Sequence, residues 1–179
     1  MRVLISTFAL LAVTTAAFAQ HGGDHARGAQ VMPNAEPGSR DIKALSREQV
    51  ADLRAARGMG LALAAERNGY PGPMHALEHA EALRLTTLQT IELQLVMDGM
   101  RRNAIAAGER VIEAERILDR LFSERRATPD AVAEATARIG VESASLRAVH
   151  LAAHIATRAV LTSDQIVRYD EVRGYRRAD

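Results

Sequence analysis

One five-residue pattern opens three separate stretches of this chain. Leu45-Ser46-Arg47-Glu48-Gln49, Leu85-Thr86-Thr87-Leu88-Gln89 and Leu161-Thr162-Ser163-Asp164-Gln165 all read L-[ST]-x-x-Q. Physically this is a capping box. The Ser or Thr oxygen accepts from a free N–H of the first helical turn, and the Gln reaches back to the N–H of the cap. The Leu before the cap can staple onto the residue after the Gln: Val50 and Ile166 suit this, Thr90 less well. Each such cap stabilises its helix by about 1 kcal/mol. A fourth start stands at Thr128-Pro129-Asp130, with cap, proline at the first helical position and acid in the first turn.

These starts predict an all-α chain. A first helix is expected over about 47–67, weakened by Gly58 and Gly60 and ended at Asn68-Gly69. The stiff turn Tyr70-Pro71-Gly72-Pro73 sets the angle to a short helix over 74–83. A long helix follows from Thr86 to about Ser123, a second from Thr128 to about Val160, and a last short one from Thr162 to about Gly174. The two long helices are joined by about four residues, so they form an antiparallel hairpin. Aromatic residues are only 3% of the chain and Trp is absent, so the contacts between helices are expected to be thin and lined by Ala. The Gly58-Met59-Gly60 segment is expected at a tight helix–helix contact. It lacks the strand context of a nucleotide loop.

The first nineteen residues have the form of an export signal: Arg2, an apolar run, then Ala17-Phe18-Ala19 as cleavage site. The expected organisation is a signal peptide over 1–19, a disordered His-containing tail over 20–43, and one all-helical domain over 44–177. The expected location is the periplasm. No later apolar run reaches the roughly 20 residues that span a bilayer. The chain has no Cys, which excludes disulfides and thiolate metal sites. With 23 Lys+Arg against 22 Asp+Glu, its charge gives no support for nucleic acid or a bare anionic membrane as a partner, and without a spanning run no direct membrane insertion is expected.

All six histidines fall in pairs four residues apart: His21/His25, His75/His79 and His150/His154. Residues at i and i+4 share a helix face. Six histidines placed at random would give on the order of 0.2 such pairs. The hairpin register sets His150 and His154 opposite about Asn103 and Gly99, with Met97, Asp98 and Met100 as neighbours. His75 and His79 belong to the same end of the hairpin. Four imidazoles and one carboxylate are thus candidates to converge if the short helix folds back. Neutral imidazoles suit Zn, Ni, Co or Cu(II). The simpler alternative is partly exposed histidines that satisfy carbonyls. Met59, Met74, Met97 and Met100 are expected as core filler before soft-metal ligands. The arginines of the first long helix, among them Arg110, Arg116 and Arg120, are expected as a solvated face paired with Glu109, Glu113, Glu115 and Asp119.

A signal peptide, an all-helical body and the motifs LTTLQ and LTSDQ resemble the Spy/CpxP family of periplasmic proteins and the related heavy-metal resistance and sensor type. The resemblance covers about residues 45–175. It implies a cradle-like four- to five-helix protomer that dimerises through the long hairpin. It further implies either ATP-independent chaperoning of unfolded clients, signalling to a membrane-bound sensor partner, or metal binding. In the metal-sensor type a His-x-x-x-His pair precedes the hairpin, a carboxylate comes from the first long helix, and a His-x-x-x-Met pair comes from the second. His75 and His79 match the first pair and His150 the later His, and His154 stands in place of Met. Asp98 is the nearest carboxylate, with Met97 at or beside the expected place. The metal set read this way is His75, His79, His150, His154 and Asp98. No organic cofactor and no catalytic residue are expected. There is no nucleophile elbow, no His-Glu-x-x-His and no phosphate loop. The expected function is therefore non-enzymatic binding of a divalent transition metal, with the chaperone or envelope-stress adaptor as the alternative.

Overall fold

A computed structural model describes residues 40–175. The export signal, the His21/His25 pair and most of the expected tail lie outside the described residues. Among the described residues the chain is all helical: α1 (Arg47–Arg54), α2 (Leu63–Glu66), α3 (Pro73–Glu78), α4 (Thr87–Ser123), α5 (Pro129–Val160) and α6 (Ser163–Val172). No helix among them is long and apolar enough to cross a membrane.

All four helix starts form where the sequence places them. Ser46, Thr86 and Thr162 each complete a reciprocal capping box with Gln49, Gln89 and Gln165, and the Thr128 oxygen caps α5. Two of these boxes do more than cap. Gln89 Nε2 donates to Gln165 Oε1 at 2.8 Å, and Gln165 Nε2 donates back to Gln89 Oε1 at 3.0 Å. The second proton of each amide goes to the other motif's neighbourhood: Gln89 donates to the Val160 carbonyl and Gln165 to the Leu83 carbonyl. The two amides thereby lock the start of α4 to the junction of α5 and α6. Around them Leu83, Leu93, Leu161 and Tyr169 form one buried cluster with Ala76, flanked by Leu85 and Ile166.

α4 and α5 pack as the expected antiparallel hairpin, and the contact is thin. Ala104, Ala107 and Ala114 of α4 are fully buried beside Ile112, and Ala135 and Ala153 are buried on α5. The buried stripe of α5 runs Ala135, Leu146, His150, Ala153, His154 and Thr157. Both histidines of the later pair thus stand on the inward face of the helix. A second cluster joins Leu53 of α1 to Ala104, Ala107, Val111 and Ile112 of α4 and Leu146 of α5.

Three expectations change. The helix expected over 47–67 breaks after Arg54. Ala56, Met59 and Gly60 take left-handed φ of 56°, 42° and 74°, a conformation no α-helix continues through. A Cβ added at Gly58 or Gly60 would meet nothing within 4 Å, so this segment is an open loop and makes no tight contact. The tight contact is at Gly108 of α4, where an added Cβ would stand 2.6 Å from the Leu53 carbonyl oxygen. Only glycine lets α1 approach α4 this closely. Finally, packing begins before residue 44: Ile42 is buried against Leu53 and Val111, and Lys43 donates to Asp119 from both its backbone N–H and its Nζ.

Gly108→Ala should therefore destabilise the protein by about 1–3 kcal/mol by forcing α1 off α4. Gly99 and Gly140, helical glycines with open space at the Cβ position, should each gain about 0.5–1 kcal/mol on replacement by Ala. Urea unfolding of the three variants checks the sign at each position.

Candidate functional site: a histidine- and methionine-lined cleft

A cleft of about 730 Å³ opens where the α1–α2 loop, α3, the first third of α4 and the last third of α5 meet. Its walls include Glu66, Met59, Met74, His75, Met97, Met100, Arg101, His150 and His154. Three of the predicted histidines therefore share one cleft, one from α3 and two from α5. Met97 and Met100 line it from α4, as the hairpin register requires.

His79 and Asp98 do not line it. α3 ends at Glu78, and His79 is its C-cap residue, with its N–H bonded to the His75 carbonyl. The face that carries His75 is not carried on as helix beyond it. Asp98 falls about 100° round α4 from Met97. It is exposed and accepts a hydrogen bond from Gln94 at 3.1 Å. The carboxylate at the cleft is instead Glu66.

Glu66 Oε1 accepts three hydrogen bonds: from Tyr169 Oη at 2.9 Å, from His75 Nδ1 at 3.0 Å and from Arg173 at 3.1 Å. Burial works against its charge. The hydrogen bonds from Tyr169 and Tyr175 and the charges of His75 and Arg173 outweigh that, and hold its carboxyl below the usual range. An ionised Glu66 can only accept, so His75 Nδ1 carries a proton, and in the neutral ring Nε2 holds the lone pair. Tyr169 is fully buried and also accepts the Gly72 N–H at 3.2 Å. Burial, with the neighbouring Glu66 carboxylate, pushes its phenol well above the usual range, so it stays a donor.

On the opposite wall His154 Nδ1 lies 2.7 Å from the Tyr70 carbonyl oxygen. A carbonyl only accepts, so this ring too carries a proton at Nδ1, and in its neutral form the lone pair is on Nε2. Its ring packs against Gly72, where an added Cβ would stand 3.0 Å from His154 Cε1. One turn along, Arg158 donates to the Gly69 carbonyl and lies over the Tyr70 ring, 4.9 Å from its centroid. The Tyr70–Pro73 turn is thus held on α5 by two side chains, with Pro71 fully buried beneath it.

His150 is 5% exposed, and its Nε2 is buried with no hydrogen-bond partner among the described residues. Such an orphaned polar atom costs a fold about 1–3 kcal/mol. Burial first, and the neighbouring His154 second, hold its imidazole below the usual histidine range. This nitrogen belongs to a cleft that His75, His154 and four methionines also line. Among the described residues, however, no three His, Asp or Glu side chains already stand close enough together to hold an ion. The donor chemistry fits a metal, and the nitrogen and oxygen donors alone do not close around one.

The chain matches no family model, no curated protein and no solved structure.

The depressed His150 fixes a direction of pH dependence. The unfolded ring takes up a proton near about pH 6.5, and the folded ring resists until lower pH. The stability it contributes is full above about pH 6.5 and is lost as pH falls through that value. With chelator present, the thermal midpoint should drop between about pH 7.5 and about pH 5.5, and His150→Leu should flatten the drop. The Glu66 contribution is lost only below about pH 4.5, so the two are separable. A wild-type midpoint constant over the upper window would contradict the assignment.

Proposed function

We propose that this chain is an exported, non-enzymatic metal-binding protein of the heavy-metal resistance or sensing kind, resembling the Spy/CpxP group. The observation that carries this reading is the state of the three imidazoles at the cleft. His75 and His154 each have Nδ1 held by an acceptor, which is the arrangement that orients a metal-ligating histidine. His150 adds a buried nitrogen with no partner.

His75, His150 and His154 would hold the ion, and Glu66 would act behind His75 as its orienting carboxylate. His79 and Asp98 drop out of the ligand set. A transition metal supplies the one thing the cleft lacks, a common centre for donors from different helices. Because His75 stands on α3 and the other two on α5, binding draws α3 toward the hairpin. That movement would either sequester the ion or be read by a membrane-bound partner. The export signal and the periplasm belong to this proposal.

Calorimetric titration with Zn(II) and Ni(II) tests it. The protein should bind one ion, and His150→Ala/His154→Ala should lose about 10–100-fold in affinity, with His79→Ala and Asp98→Ala unchanged. Equal and negligible binding in all forms ends the proposal.

A second reading rests on a different surface. Leu88, Ile91 and Leu95 share one side of α4 and are 64%, 53% and 66% exposed. A stripe of this kind suits a second copy of the chain or an unfolded client. Suppression of client aggregation with chelator present and without ATP, lost in Leu88→Ser/Leu95→Ser, would favour a chaperone or stress adaptor.

A further inference from the structure

Three histidines line the cleft, and so do four methionines. The chain has six methionines, and every one among the described residues, Met59, Met74, Met97 and Met100, lines this one cleft. The buried hydrophobic core among the described residues is built from Ala, Leu, Ile and Val with Tyr169, and it includes no methionine. Met100 packs against the α1–α4–α5 cluster and fills space there. Met59 and Met74 do not fill a core, since they are 43% and 46% exposed. Met59 holds a left-handed φ of 42° between two glycines with open space around them. That conformation disfavours any side chain other than Gly or Asn, and nothing in the packing calls for a large apolar residue there.

We propose that the cleft takes a soft univalent ion, Cu(I) or its surrogate Ag(I), on the thioethers of Met59, Met74 and Met97 together with the imidazoles. This rests on the metal-binding reading above and names the class of ion. Three observations lead to it. Nitrogen and oxygen donors among the described residues form no ready-made group able to hold an ion, and the cleft offers thioethers beside them. Thioether sulfur is a soft ligand that selects Cu(I) over the harder divalent ions. The charge at the cleft also favours a univalent ion. Glu66 is already neutralised by Arg173, Arg57 is paired with Asp52 at 2.8 Å, and Arg101 lines the wall with no ion-pair partner among the described residues. An unpaired guanidinium repels a divalent ion about twice as strongly as a univalent one. Thioethers add no charge and need no deprotonation, so they bind without altering this balance.

The test is an anaerobic titration of the full chain with Cu(I) against a chromogenic competing chelator, run in parallel with Zn(II). Met59→Leu/Met74→Leu/Met97→Leu should lose about 10–100-fold in Cu(I) affinity while its Zn(II) affinity changes by less than about two-fold. His150→Ala/His154→Ala should weaken both ions. Equal Cu(I) affinity in wild type and the triple Leu variant overturns the proposal and leaves the histidine reading standing. Failure of wild type to bind either ion removes both. Should the triple variant fail to fold, wild-type protein labelled at the methionine methyls gives the answer: Ag(I) should shift the signals of Met59, Met74 and Met97, and unmoved signals overturn the proposal.

Discussion

A single half-buried carboxylate oxygen organises the part of this protein that flanks its hairpin. Glu66 Oε1 receives Tyr169 from α6, His75 from α3 and Arg173 from the segment after α6. Tyr169 then passes the connection on to the backbone of Gly72, at the N-terminus of α3. α2 and α3 are one-turn to two-turn helices, too short to persist on propensity alone. Their positions depend on this network and on the grip of His154 and Arg158 on the Gly69–Tyr70 turn. The same hydrogen bonds that hold α3 in place orient the His75 ring. Structure and candidate function therefore share one set of interactions, and removing Tyr169 or Glu66 would disturb both.

The hairpin supplies the rigid wall against which that network is set. Its Ala-lined contact and the Gly108–Leu53 approach bring backbones close with little side-chain volume between them. The paired amides of Gln89 and Gln165 close the opposite end. Half-buried amides of this kind are costly unless their donors and acceptors are met, and here each carbonyl accepts twice and each NH2 donates twice. His150 and His154 stand on the buried stripe of α5 between these two fixed regions.

Much of the fold was legible because its signals are local. Thr86, Thr128 and Thr162 announce their helices through side-chain bonds three residues away, and the α4 and α5 boundaries follow within a residue. A four-residue connection leaves the hairpin no other arrangement. The site was legible only in part. The four-residue spacing marks His75, His150 and His154, which line the cleft, but it says nothing about where α3 ends, and His79 falls at its C-cap. Asp98 was placed by hairpin register, which locates a position along the axis more firmly than an angle round it. Glu66, Tyr169 and Arg173 meet across about a hundred residues of chain, and no local pattern marks such a contact. The break after Arg54 was hidden for a related reason. Ala55-Ala56-Arg57 reads as good helix, and the left-handed turn there is imposed by tertiary packing over propensity.

The central claim is that His75 and His154 are pre-set with Nδ1 occupied and Nε2 available, and that His150 joins them at one ion. Long-range proton–nitrogen NMR of the histidine side chains reads this directly. At neutral pH without metal, His75 and His154 should show the Nδ1–H tautomer, and adding Zn(II) should shift the nitrogen signals of His75, His150 and His154 together. Shifts confined to His21, His25 or His79, or an Nε2–H tautomer at His75 and His154, would contradict it.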